Sequence, residues 1–260
     1  MNLKEREKMK YSVCIDAVYR GMDFMQSLIR CRDAGMKCVE FWSWWDKDID
    51  AISDFVRENN MTVSTFCTKF ISLVDPGQRE AFLEALAEGI AAAEKLGCRQ
   101  MIVQTGADTG EPRDIQMKSL RDGLLASQRL LEEHNFTLLL EPLNTKIDHQ
   151  GYFMKSSDEM AELLAELNAP CFQMLFDIYH QQISEGDLLR HIEKHFSKIR
   201  HIHAAGNPGR HELYRSEINY SYIFRELDRM GYEGYVGLEY FPVDEPEKGL
   251  HMLAQGQDIF

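Results

Sequence analysis

Four short stretches of this 260-residue chain end in groups able to do chemistry. TLLLEPLNT (137–145) runs an apolar segment into Glu141 and then a proline, and YVGLEYFP (235–242) does the same with Glu239. Between them FDIYH (176–180) supplies Asp177 and His180, and HIHAAG (201–206) supplies His201 and His203. Alone, a strand-end glutamate usually caps the next helix and a histidine usually satisfies a core hydrogen bond. Together, Glu141, Asp177, His203 and Glu239 would repel one another at one place unless a cation sat among them, and a divalent metal supplies one. Three carboxylates and an imidazole form a hard, oxygen-rich set that favours Mg2+ or Mn2+ and leaves Co2+ or Zn2+ open, while the lack of thiols argues against a structural zinc site. Such a metal, open on one side, can chelate the adjacent oxygens of an α-hydroxy carbonyl compound and stabilise the enediolate left when a carbon-bound proton departs. Glu141 and Glu239 would flank that substrate, one taking the proton and the other acting as acid or base beside it.

For these residues to meet, their strands must be neighbours. Apolar runs alternate with helical periodicity along the whole chain. Strands are expected at 11–16, 38–42, 62–68, 99–106, 137–143, 171–180, 198–206 and 235–241, each followed by a helical stretch. The third helix spans about 78–96 with Gly97 as its cap, the fifth opens on the Ser156/Glu159 capping-box spacing, and later ones lie near 186–195 and 219–230. Continuous apolar strands suit a parallel sheet covered on both faces, and eight strand–helix units predict an α/β fold: a single (β/α)8 TIM barrel over 1–260, with a short charged lead-in at 1–10. A doubly wound sheet would carry a glycine-rich phosphate loop after its first strand, and IDAVYRGMD has none. In the barrel, the strands' carboxyl ends collect the residues singled out above.

Composition narrows the partners. With 42 acidic and 29 basic residues the net charge is −13, which repels nucleic acid and leaves a small molecule as the expected partner. No run approaches a membrane span, and MNLKEREKMK lacks the apolar centre of a signal peptide. Six cysteines without a C-x-x-C pair read as buried reduced thiols. These features point to a cytoplasmic protein; a homo-oligomer stays open. Around the expected mouth, Arg210 could clamp a carboxylate through two hydrogen bonds or be an ordinary loop arginine. Lys69 could add a second anion contact, although a solvated lysine is the simpler reading. Trp42, Trp44 and Trp45 could wall the site or pack between helices, and Gln104 could reach the same mouth.

The chain resembles the hydroxypyruvate isomerases, within the wider xylose-isomerase-like barrels that include the ketose 3-epimerases. The resemblance covers most of the chain through CVEFWSWWDKD, LVDPGQRE, LLLEPLNT with the later GYF, FDIYH, HIHAAGNPGRHE and GLEYF. It implies metal ligation by Glu141, Asp177, His203 and Glu239, proton transfer by Glu141 and Glu239, and substrate contacts from His180 and Arg210. Hydroxypyruvate isomerases often carry glutamine where this chain has His203 and the epimerases histidine, whereas PGRHE resembles the isomerases. The implied reaction is hydroxypyruvate to tartronate semialdehyde. A 2-oxo-tetronate isomerase and a ketose 3-epimerase are the alternatives, and a metallo-phosphodiesterase resembling the apurinic-site endonucleases is a more distant one.

Overall fold

Where valine, leucine, isoleucine and phenylalanine follow one another, a strand can bury both faces, and the chain does this eight times. The computed structural model describes residues 9–255. Its strands are β1 (Lys10–Cys14), β2 (Cys38–Phe41), β3 (Thr62–Phe66), β4 (Gln100–Val103), β5 (Thr137–Leu140), β6 (Phe172–Asp177), β7 (Ile199–Ala204) and β8 (Tyr235–Leu238). They form one sheet in the order β3-β2-β1-β8-β7-β6-β5-β4. Every paired neighbour is parallel. A parallel bridge between Cys67 and Ile102 joins the two ends, and the Thr68 N–H donates to the Ile102 carbonyl at 2.8 Å, so the sheet closes into a barrel.

The connecting helices are α1 (Ile15–Val18), α2 (Phe24–Asp33), α3 (Ile49–Glu58), α4 (Arg79–Lys95), α5 (Arg113–Glu133), α6 (Ser157–Leu167), α7 (Ile178–Ser184), α8 (Leu188–His195), α9 (Tyr220–Met230) and α10 (Pro246–Ala254). Side-chain oxygens that accept orphan N–H groups start several of them: Asp23 for α2, Asp48 for α3, Ser156 for α6 and Asn219 for α9. Gly97 follows α4 at φ +67°, as its spacing predicts. The C-terminal helix is tied to α2 by Arg30, whose Nε and Nη2 donate to the two Glu247 oxygens at 2.6 and 2.8 Å. None of the described helices is long and apolar enough to cross a membrane.

The strands are shorter than expected, and two of them give way directly to a helix. The run at 171–180 is not strand throughout: Asp177 accepts the His180 N–H at 3.0 Å and turns the chain into α7, so His180 sits on a helix rather than a strand end. Likewise Ile15 and Asp16 begin α1 instead of extending β1. Of the charged lead-in expected at 1–10, residues 1–8 lie outside the described residues and Lys10 already belongs to β1.

Period-two alternation sorts each strand. Leu138, Leu140, Met174, Phe176, Ile202 and Val236 face the helices in the main apolar core. Cys67, Ile102, Leu139 and Leu175 form a separate cluster inside the barrel, with Trp42 against it. Glu141 and Asp177 follow Leu139 and Leu175 by two residues and therefore share the inner face. All six cysteines are buried and free. Leu86 of α4 is fully buried in the main core. Replacing it with alanine should lower stability by about 2–5 kcal/mol, measured as a fall in the urea midpoint without a change in slope.

Candidate metal and acid-base site

The four strand-end residues meet. Glu141, Asp177, His203 and Glu239 each offer a ligand atom, and these atoms all lie within 4.8 Å of one another. All four side chains are buried. His203 Nδ1 is 3.5 Å from Glu141 Oε1 and 3.2 Å from Glu239 Oε2. Buried polar atoms are normally hydrogen-bonded, yet Glu141 Oε1 and His203 Nδ1 have no hydrogen-bond partner. Two orphaned ligand atoms, in a group of three carboxylates and an imidazole brought together from four strand ends, are what a divalent cation would satisfy, so the residues fit one.

The two glutamates are supported differently. Trp42 Nε1 donates to Glu239 Oε1 at 2.5 Å, and Arg210 pairs with Glu239 Oε2. Burial pushes the Glu239 carboxyl up, but Arg210 and His203 outweigh it and hold it well below the usual range. At Glu141 burial wins over His203, and with the Glu239 and Asp177 charges nearby its pKa rises. Burial likewise raises Asp177 against the pull of Arg210 and His203. For His203 the order reverses: burial lowers it, and the Glu40 and Glu239 carboxylates more than compensate, so it lies well above an ordinary histidine.

His180 sits beside this cluster as a neutral donor. Burial, then Arg210, push its pKa well below the usual value. Asn144 fixes its tautomer. The Asn144 Oδ1 accepts from the backbone N–H groups of Ile147 and Asp148 at 3.0 and 3.2 Å. Its NH2 group is thereby turned to Asp148 Oδ2 at 2.7 Å and His180 Nδ1 at 2.6 Å. Facing these donors, Nδ1 must accept, so the proton is on Nε2, a buried N–H without a hydrogen-bond partner 3.6 Å from Asp177 Oδ2.

Arg210 comes from the loop after β7. It is a non-glycine residue in the left-handed region at φ +57°, held there as its carbonyl accepts from the Phe241 N–H at 2.7 Å. Glu239 engages Nη2, and Nε remains a buried donor without a partner. A cavity of about 260 Å3 opens beside the cluster, lined by Trp42, Phe70, Gln104, His149, His180 and Arg210 among others.

A model of the xylose isomerase-like TIM barrel family matches residues 28–255. The chain belongs to that family. The hydroxypyruvate isomerase of Escherichia coli strain K12 is 26% identical over 94% of this xylose isomerase-like barrel and 98% of its own length. The 2-oxo-tetronate isomerase of Cupriavidus necator is 32% identical over 68% of each chain. Among solved structures, one described as AP endonuclease, family 2, from Brucella melitensis superposes with a TM-score of 0.91 at 29% identity, covering 96% of this chain and all of that one. With relatives of these names, this xylose isomerase-like barrel is an isomerase.

The barrel brings Trp42, Gln104, His180 and Arg210 to the cavity. It does not bring Lys69 there: Lys69 Nζ pairs with Glu88 on α4 at 2.6 Å and lies over Trp44. Trp44 and Trp45 pack edge to face, and Trp45 meets Phe70 in the same way. Among the residues around the site that escaped the sequence reading are Asn144 and Glu40. The latter is a buried carboxylate on β2, 3.1 Å from His201 Nε2 and 2.9 Å from His203 Nε2. An ionised residue flanked by valine and phenylalanine was the available signal. Asn144→Asp should replace the donor to His180 Nδ1 with an acceptor and move the ring proton from Nε2 to Nδ1. Long-range 1H–15N spectra of histidine-labelled protein would record the exchange of the two nitrogen signatures.

Proposed function

We propose that the protein is a metal-dependent isomerase of a small hydroxy-oxo acid, interconverting a 2-oxo-3-hydroxy acid and its aldehyde isomer as in hydroxypyruvate to tartronate semialdehyde. The observation that carries this reading is the pair Glu141 and Glu239, brought from β5 and β8 to within 4.8 Å of each other and of Asp177 and His203. These four residues would hold a divalent cation, which when bound supplies Lewis-acid stabilisation of the negative charge developing on substrate oxygens. Glu141 and Glu239 move the protons: one is removed from the hydroxyl-bearing carbon and one returned to the former carbonyl carbon, while the hydroxyl proton passes to the neighbouring oxygen. His180 Nε2–H and Arg210 Nε–H, both buried and without a hydrogen-bond partner in the protein, orient the substrate and read its carboxylate. The cavity of about 260 Å3 suits a chain of three or four carbons.

A 2-oxo-tetronate is the second substrate reading, favoured by the Cupriavidus relative. A ketose 3-epimerase would use the same glutamates on one carbon. Phosphodiester cleavage has less support here, because a net charge of −13 opposes a polyanion. We place the protein in the cytoplasm, where six unpaired cysteines stay reduced.

Incubation in D2O with Mg2+, Mn2+ or Co2+ tests the reading. Deuterium should enter C3 of hydroxypyruvate with the aldehyde isomer formed, or the corresponding tetronate carbon with the 3-oxo acid formed. Inversion of a free ketose at C3, or cleavage of an abasic oligonucleotide without exchange, would replace the assignment. Glu141→Gln and Glu239→Gln should fold normally and lose turnover by roughly 10^2–10^4-fold; near-normal turnover in either would remove its proton-transfer role. Arg210→Ala should raise KM far more for an acid substrate than for a neutral ketose.

A further inference from the structure

Glu40 takes no part in the chemistry proposed above, yet it is a charge in the barrel interior, 1% exposed. A carboxylate gives up its hydration to enter such a place and persists there only if well paired. Ser64 Oγ donates to Oε2 at 3.1 Å and His201 Nε2 pairs with the same oxygen at 3.1 Å, while His203 Nε2 lies 2.9 Å from Oε1, within ion-pair distance but without hydrogen-bond alignment. The space it occupies exists because β8 carries glycine at 237. A Cβ there would collide with Glu40 Oε1 and come within 2.6 Å of the His203 ring.

The consequence lies in the two faces of the His203 ring. Nε2 faces Glu40, and Nδ1 faces Glu141 and Glu239. Carboxylates face both ring nitrogens, so a cation held in the cluster would take the place of the proton at Nδ1, and the proton that stays would face Glu40 from Nε2, because an ionised carboxylate can only accept. We propose that Glu40 is the positioning residue of the site: with Gly237 making room for it, it fixes the tautomer and orientation of His203 and strengthens Nδ1 as a metal donor. This rests on the metal-site reading given above. A merely structural Glu40, present to partner His201, would leave metal affinity untouched.

Calorimetric titration with Co2+ separates the two, with near-ultraviolet circular dichroism confirming the fold of each variant. Glu40→Ala should weaken Co2+ binding roughly 10–100-fold. Glu40→Gln, whose amide oxygen can still accept from Nε2, should recover much of that loss, and Gly237→Ala should lose affinity by displacing the carboxylate. Should Glu40→Ala fail to fold, wild-type protein decides. In the Zn2+-loaded, 15N-histidine-labelled enzyme, His203 should carry its proton on Nε2 and show the metal-induced shift at Nδ1. A folded Glu40→Ala variant with wild-type Co2+ affinity, or zinc ligation through Nε2, overturns the proposal and leaves the metal site standing. A wild-type protein that binds neither cation removes both.

Discussion

Everything at the barrel mouth follows from placing three carboxylates where water cannot screen them. At an effective dielectric of about 20, two unit charges 4 Å apart interact by about 4 kcal/mol. Glu141, Asp177 and Glu239 are all nearly inaccessible, and each brings a carboxylate oxygen to within 4.8 Å of the others. The protein's own counter-charges are Arg210, paired with Glu239, and the raised His203. Arg210 reaches its partner because Gly209, at φ +94°, and the left-handed Arg210 turn the loop inward, where the Phe241 N–H pins it. Backbone strain in that loop, the direction of the Trp42 indole and the orphaned oxygen on Glu141 are responses to the same concentration of negative charge.

The barrel interior beneath the mouth is divided lengthwise. Toward β3–β6 it is apolar, with Cys67, Ile102, Leu139 and Leu175 in contact. Toward β7, β8, β1 and β2 it is polar: His201, Gly237, Ser12 and Glu40 follow one another around the wall, with Ser64 of β3 joining Ser12 at 2.6 Å. The apolar side lowers the dielectric and strengthens every interaction above it. The polar side supplies oriented partners that need no rearrangement when charge moves at the mouth, which is the arrangement electrostatic stabilisation requires. Gly237 lies within the polar half, at a wall position where the Glu40 carboxylate occupies the space a Cβ would need.

Sequence reading recovered the barrel because buried parallel strands write themselves as unbroken apolar runs, and it singled out Glu141, Asp177, His203 and Glu239, which the fold brings together, because each interrupts or ends such a run. Glu40 interrupts one equally, in CVEFW, but lies at mid-strand rather than at its end, so it read as part of the apolar segment. Its meaning depends on His201 and His203, more than 160 positions away. Asn144 was hidden for another reason: EPLNT looks like ordinary loop chemistry, and only the closure of that loop over α7 sets its amide against His180. Lys69 shows the converse limit. Whether a strand-end lysine turns inward or outward was decided by Glu88 on the following helix, a contact that strand periodicity does not encode.

The unequal support of the two glutamates bears on which reaction the site suits. Both Glu239 oxygens are occupied, one by Trp42 and one by Arg210, so that carboxylate is clamped in place. Glu141 keeps Oε1 free of hydrogen bonds, and the Tyr152 hydroxyl meets only its main-chain carbonyl, at 3.4 Å. Epimerisation at one carbon asks two bases to serve opposite faces in equivalent roles, a task for which matched surroundings would be expected. Moving a proton between adjacent carbons instead needs one carboxylate free to swing and another held rigid beside the oxygens, where the neutral His180 donor also stands. The asymmetry therefore supports the proposed isomerisation. It also explains why both carboxylates sit at strand ends, where the backbone fixes one end of each side chain while the loops above determine how firmly the other end is held.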